Sequence, residues 1–155
     1  MKTLVLGLGN DLLSDDAVGI LAVRALKRQI GHQADIVESD LTGLGLMDIL
    51  AGYKKVLIID AVQTARFRPG TIIDVDPKDL DAIPNPSPHY TGLPEMIAIA
   101  EQLNLDFPDE IKILAIEVAD HCALGGELSK PVADALDGIV GRARLYLQRW
   151  ESDIA

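Results

Sequence analysis

The chain has 155 residues, 48% of them hydrophobic, with 24 acidic against 14 basic side chains and a formal net charge of −10 at pH 7. That length fits a single domain, 1–155, able to bury a sizeable core, and the composition disfavours disordered and membrane classes. The acidic balance repels phosphate backbones, and no apolar run nears the roughly 18 residues of a membrane span. The single cysteine, Cys122, allows no intrachain disulfide and no thiolate metal cage.

Taken in order, residues 3–6 read as a first strand. With one lysine, an apolar run broken by Gly7 and Gly9, and no small-residue cleavage site, the N-terminus does not read as a signal peptide, so a cytoplasmic location is expected. Residues 15–30 carry Val18, Leu21, Val23, Ala25 and Leu26 at helical spacing, with Ser14 or Asp15 as the expected N-cap and Gly31 as the stop. Residues 34–38 alternate like a second strand, and residues 43–51 read as a short helix closed by Gly52. Within 55–60, Val56-Leu57-Ile58-Ile59 is the continuous apolar run of a strand covered on both faces, with Asp60 at its end.

A turn at Pro69-Gly70 leads to a strand over 71–75. Residues 76–90 hold Pro77, Pro84, Pro86 and Pro88 with little periodicity, and a loop of that length in a compact domain is usually functional or disordered. Helix resumes over 92–103, with Thr91 as a cap and Pro94 in the first turn, and residues 111–116 form the last strand. Ser129 and Pro131 introduce a long final helix, whose face carries Val132, Ala135, Leu136, Ile139, Val140, Ala143, Leu147 and Trp150. Strands interleaved with helices predict an α/β three-layer sandwich, with a mostly parallel, twisted sheet of about five strands. No face reads as an oligomer seam, so a monomer is expected.

The chemistry concentrates in a few residues. Gly7-x-Gly9 after a strand invites a dinucleotide reading, but the third glycine of that fingerprint would fall at Leu12, and Asp15 and Asp16 would repel a pyrophosphate. Acids in a first helical turn are ordinarily complements to the helix dipole, so Asp15-Asp16 alone decides nothing. Asp60 shifts the balance. In a parallel sheet the strand ends share one edge beside a ligand crevice, so Asp16 and Asp60 face the same crevice if their strands are neighbours. An acid there can equally be a cap or turn residue.

His89 lies in a proline-stiffened loop that spans about 50 Å when extended and can reach the same edge. A lone loop histidine is more often a surface residue. With Asp16 and Asp60 it would complete an O,O,N set with vacant positions, unlike a closed structural zinc site and suited to a divalent transition metal held partly by something else. His121 beside Cys122 matches no catalytic pattern, His32 and the Arg66–Arg68 pair read as solvated, and Ser14 or Ser87 lacks a nucleophile elbow.

The stretch Gly7-Leu8-Gly9-Asn10-Asp11-Leu12-Leu13-Ser14-Asp15-Asp16-Ala17-Val18-Gly19 resembles the G-x-G-N-x-[LM]-x-x-D-[DE]-x-x-G signature of the hydrogenase maturation proteases. The resemblance continues through Ile58-Ile59-Asp60-Ala61-Val62, Pro69-Gly70-Thr71, Ser87-Pro88-His89 with Gly92-Leu93, and Leu128-Ser129-Lys130-Pro131-Val132. It implies an endopeptidase that removes the C-terminal extension of a [NiFe]-hydrogenase large-subunit precursor after nickel insertion. The nickel would be carried by the precursor and not retained by the free enzyme. The family's nickel-contacting residues carry over onto Asp16, Asp60 and His89, which are the expected metal ligands and catalytic residues.

Three positions depart from the family pattern. Asp16 is one methylene shorter than the glutamate of some relatives, Leu41 stands where many have glycine, and Val118 where a proline often follows the acid at Glu117. The resemblance leaves two mechanisms open. Either the metal polarises the scissile carbonyl or activates water while a carboxylate assists, or it only docks the substrate and Asp16 or Asp60 is the base. Two other functions stand beside it: a non-catalytic checkpoint that binds the metallated precursor, and a metal-dependent hydrolase of another substrate.

Overall fold

A computed structural model describes residues 2–41, 43–82, 88–90, 92–119, 125 and 127–153. Among them, β1 (Thr3–Leu8), β2 (Asp35–Ser39), β3 (Lys55–Val62), β4 (Ile72–Val75) and β5 (Glu110–Glu117) form one sheet in the order β2-β1-β3-β5-β4. The first four in that order run parallel, and β4 closes the edge antiparallel to β5. The helices are α1 (Val18–Ile30), α2 (Leu44–Leu50), α3 (Leu93–Leu103) and α4 (Lys130–Ser152). None of them is long and apolar enough to cross a membrane.

Alternate residues of a strand point to opposite faces, and the sheet accordingly builds two cores. Val5, Leu57, Ile59, Leu114 and Ile116 pack with Val23 and Leu26 of α1 and Ile139, Leu147 and Trp150 of α4. Leu4, Leu6, Ile58 and Ile113 face the other way, onto Leu46 and Leu50 of α2 and Leu93 at the start of α3. This is why the run in β3 is apolar without alternation: seven of its eight residues are buried, and both of its faces are roofed by helices. The α/β sandwich expected from the pattern is the fold observed.

The differences lie at the ends of elements. The chain enters α1 through a 3₁₀ turn, Ser14–Ala17, and neither element has a side-chain cap bond. The expected capping by Ser14 or Asp15 is therefore wrong. Both side chains turn instead to the segment before α4, with Ser14 Oγ donating to the Glu127 carbonyl at 3.2 Å. β3 also runs two residues past Asp60, which pairs in register with Ala115 of β5. Asp60 is thus a residue inside the sheet, and the cap or turn reading fails. The proline-rich stretch contributes 3₁₀ turns at Pro77–Ala82 and Pro88–Tyr90. The expected cap Thr91 lies outside the described residues.

Candidate active site

β1 lies between β2 and β3, so the chain leaves β1 towards one side through α1 and returns across it through α2 to reach the other. The strand order reverses between β1 and β3, and in open α/β sheets the crevice beyond the strand ends at such a point is the ligand site. Glycines let the backbone close in there. A Cβ on Gly19 would sit 2.3 Å from the Ile59 carbonyl oxygen and 2.6 Å from that of Leu8. The first turn of α1 therefore rests directly on the end of β1 and on β3 one residue before Asp60. Gly9, at φ +141°, places its α-carbon against the Asp16 carbonyl, where a Cβ would come within 2.1 Å. Asp16 is held at this edge, its Oδ2 accepting the Asn10 N–H at 2.8 Å.

Asp60 is 1% exposed. Burying a carboxylate is costly unless hydrogen bonds satisfy it, and here they come from three donors. Oδ1 accepts the Ala61 N–H at 2.9 Å, while Oδ2 meets the Tyr90 hydroxyl at 3.1 Å and His89 Nδ1 at 3.0 Å. The 3₁₀ turn Pro88–Tyr90 thus delivers two consecutive side chains to one carboxylate oxygen, their rings edge to face at 86°. Burial alone would lower the basicity of His89. The hydrogen bond and charge of Asp60, aided by the charges of Asp16 and Asp40, outweigh it and raise the imidazole pKa above its ordinary value. Burial, reinforced by the Asp60 charge, pushes the Tyr90 phenol well above its usual range, so Tyr90 acts at Asp60 as a neutral donor. The structure therefore gathers Asp60 and His89 in direct contact, with Asp16 within electrostatic reach. Among the described residues no group of three or more His, Cys, Asp or Glu side chains is gathered closely enough to hold a metal ion by itself.

Asp15 belongs to a different task. It is 2% exposed, with Oδ1 accepting the Ser129 N–H at 2.7 Å and Oδ2 the Ser129 hydroxyl at 2.8 Å. Ser129 is the N-cap of α4, so Asp15 ties the 3₁₀ turn to the start of the last helix. Its neighbour Asp16, one residue on, points to the crevice edge.

A family model described as hydrogenase maturation protease (HycI) matches residues 20–144. The chain belongs to the hydrogenase maturation protease family. It is 26% identical over 151 residues to the hydrogenase 2 maturation protease of Escherichia coli, covering 93% of this chain and 92% of that one. It is 28% identical to the hydrogenase expression/formation protein HupD of Thiocapsa roseopersicina, over 96% of this chain and 69% of the relative. Among solved structures it superposes on the [NiFe] hydrogenase maturation protease HybD from Thermococcus kodakarensis with a TM-score of 0.71 and 26% identity, covering 95% of this chain and 99% of that one. The fold also matches the maturating endopeptidase HybD from E. coli, with a TM-score of 0.80 at 24% identity over 96% and 93% of the two chains. The protein is a peptidase of this family.

Sequence reasoning missed two residues of this maturation protease site. Tyr90 follows His89 directly in the chain, and an aromatic hydroxyl beside a candidate ligand is a signal in itself. Asp40 follows β2 at the same sheet edge and is exposed, and its charge acts on His89. Of the other candidates, Ser87, His121 and Cys122 lie outside the described residues, and His32, Arg66 and Arg68 are exposed as expected. At Val118 the departure from the family pattern has a physical use. Its N–H donates to the Val62 carbonyl at 2.9 Å, a bond that proline could not make.

Proposed function

We propose that this maturation protease removes the C-terminal extension of a [NiFe]-hydrogenase large-subunit precursor, and does so after nickel has entered the precursor. The observation that carries the reading is the buried Asp60 carboxylate at the switch point, holding His89 in a site of acidic surroundings. An acidic crevice with one basic ring suits a cationic centre brought by the substrate. Asp16, Asp60 and His89 are the residues proposed to contact the nickel and to carry the reaction.

The donor chemistry fits, with a division of labour. A carboxylate offers about four lone-pair sites, and three of those of Asp60 are taken by Ala61, Tyr90 and His89. Asp60 therefore has one acceptor direction left, on Oδ1, and otherwise serves as the carboxylate that orients the imidazole. A histidine held through Nδ1 ligates through Nε2, and such a partner fixes its tautomer and raises its basicity. Asp16, less buried than Asp60 and held at the crevice edge by the Asn10 N–H on Oδ2, would accept a proton from an attacking water. Nickel bound in the precursor would polarise the scissile carbonyl or acidify that water.

The deciding assay incubates the protein with nickel-loaded and nickel-free precursor and follows the mass of the large subunit. Cleavage of the loaded form only is expected. Equal cleavage of both, or of neither, sinks the proposal, and a precursor that binds without losing mass identifies a checkpoint instead of a protease. His89→Ala then distinguishes the two mechanisms: lost nickel-dependent docking with residual turnover would confine the metal to recognition.

A further inference from the structure

One row of residues crosses the sheet at the site edge. Asp60 of β3 pairs in register with Ala115 of β5, and Ala115 pairs with Ile73 of β4. Paired residues share a face, and neighbouring strands lie about 4.8 Å apart, so Ala115 is about 5 Å and Ile73 about 10 Å along the row from Asp60. Over Ala115 and Ile73 lies a small pocket of about 40 Å³, walled by Val62 and Thr64 and by the exposed side chains of Arg66 and Phe67. Phe67 is 46% exposed. No acidic side chain lines this pocket, although the crevice one strand away is acidic.

The wall made by residues 64–67 is fixed from below by a charge that takes no part in the mechanism described above. Glu117, 1% exposed, is the register partner of Val62. Its Oε2 accepts the Thr64 N–H at 2.8 Å and its Oε1 accepts the Thr64 hydroxyl. The Thr64 hydroxyl oxygen in turn accepts the Arg66 N–H at 3.1 Å. Between them Ala65 has φ +62°, a conformation that a residue with a Cβ adopts when its surroundings dictate it. A buried carboxylate with both oxygens spent on one threonine is a device for holding this loop in a single shape.

We propose that the pocket selects the substrate: it receives a small aliphatic side chain of the precursor within about three residues of the scissile bond, and Glu117 is the positioning residue that sets its wall. The inference rests on the peptidase reading above. A water-sized group needs about 10–15 Å³ of such volume, so about 40 Å³ admits the methyl of alanine or the isopropyl group of valine and shuts out a phenyl ring. An extended peptide advances about 3.3 Å per residue, which brings side chains one to three residues from a bond cleaved beside Asp60 over Ala115 and Ile73.

The test uses the nickel-loaded large-subunit precursor of the same organism, with Ala, Val or Phe placed in turn at each of the three residues on either side of the cut. At one position, Phe should lower kcat/KM by at least about tenfold relative to Val. Phe67→Ala, at an exposed position that leaves the fold intact, should shrink that gap. Glu117→Gln should raise KM for the native precursor while kcat stays within about twofold, a split that a general loss of folded protein would not produce. Equal kcat/KM for Val and Phe at every position, with the native precursor still cut, overturns the pocket and leaves the peptidase reading standing. Discrimination that neither variant alters also overturns it. Failure to cut the native precursor removes the peptidase reading itself.

Discussion

Asp15 and Asp16 are adjacent acids with opposite assignments, and substituting each in turn separates them. Asp15 accepts two hydrogen bonds from Ser129, at 2.7 and 2.8 Å, in a site that is 2% exposed. Asparagine at 15 keeps one acceptor and loses the charge that faces the start of α4. A hydrogen bond to a charged group is worth about 1.5–3 kcal/mol, so Asp15→Asn should destabilise the protein by about that much. For a chain of this length that corresponds to a fall in Tm of about 3–12 °C. Ser129→Ala removes the hydroxyl partner, and the double variant should fall short of the sum of the two by about 1–2 kcal/mol. Asp16→Asn retains an acceptor for the Asn10 N–H and should move Tm by no more than about 2 °C, yet abolish precursor cleavage. Calorimetric melts and cleavage assays at 25 °C on the same preparations read both effects. An unchanged Tm for Asp15→Asn, or loss of cleavage by that variant while it is still folded, would refute the assignment.

Three further outcomes follow from the geometry. Tyr90→Phe strips a neutral donor from buried Asp60 and should slow cleavage about 10- to 100-fold, the usual range for loss of an orienting partner; an unchanged rate means that His89 and Ala61 suffice to hold the carboxylate. Gly19→Ala would drive a methyl into the carbonyls of Ile59 and Leu8, and unfolding in urea should show a loss of about 3 kcal/mol, with none seen if α1 can slide outward. Burial alone would raise the Glu110 carboxyl, but hydrogen bonds from Trp150 and Lys55, with the charges of Lys55 and Lys112, hold it below its ordinary value. A carboxyl lowered by folding stabilises the protein above its unfolded pKa and loses that contribution as pH falls through the folded one. Acid unfolding followed by Trp150 fluorescence should therefore flatten in Glu110→Gln, and an identical acid limb in both proteins would contradict it.

What could be read from the sequence and what could not follows from the range of the signals. The apolar run 56–59 announced a central strand because both of its faces are covered, a local property of composition. Asp16, Asp60 and His89 could be grouped because parallel topology brings strand ends to one edge whatever the details between them. The role of Asp15 could not be read, because its partner Ser129 is 114 residues away and nothing in either neighbourhood marks the pairing. The cap of α1 was misread for the same reason: the oxygens that local rules assign to the helix start are claimed by a distant segment. Tyr90 was passed over because its value lies in the buried oxygen it meets, and burial of Asp60 shows only once β3 is seen to continue to Val62. Val118, noted as a departure, proved to be an added rung between β3 and β5.

The loop that presents the acids is fastened to residues 125–129 at several points. Gly125 donates to the Leu12 carbonyl and pairs with Leu13, Ser14 reaches Glu127, and Asp15 grips Ser129. In a chain made from its N-terminus, Asp15 emerges 114 residues ahead of Ser129, its clamp. Closing so long a loop is entropically slow, and until it closes the 3₁₀ turn that bears Asp16 lacks the grip of Ser129 on its neighbour Asp15. The order of synthesis thus sets an order of assembly: the segment that carries the signature is clamped only when the start of α4 arrives.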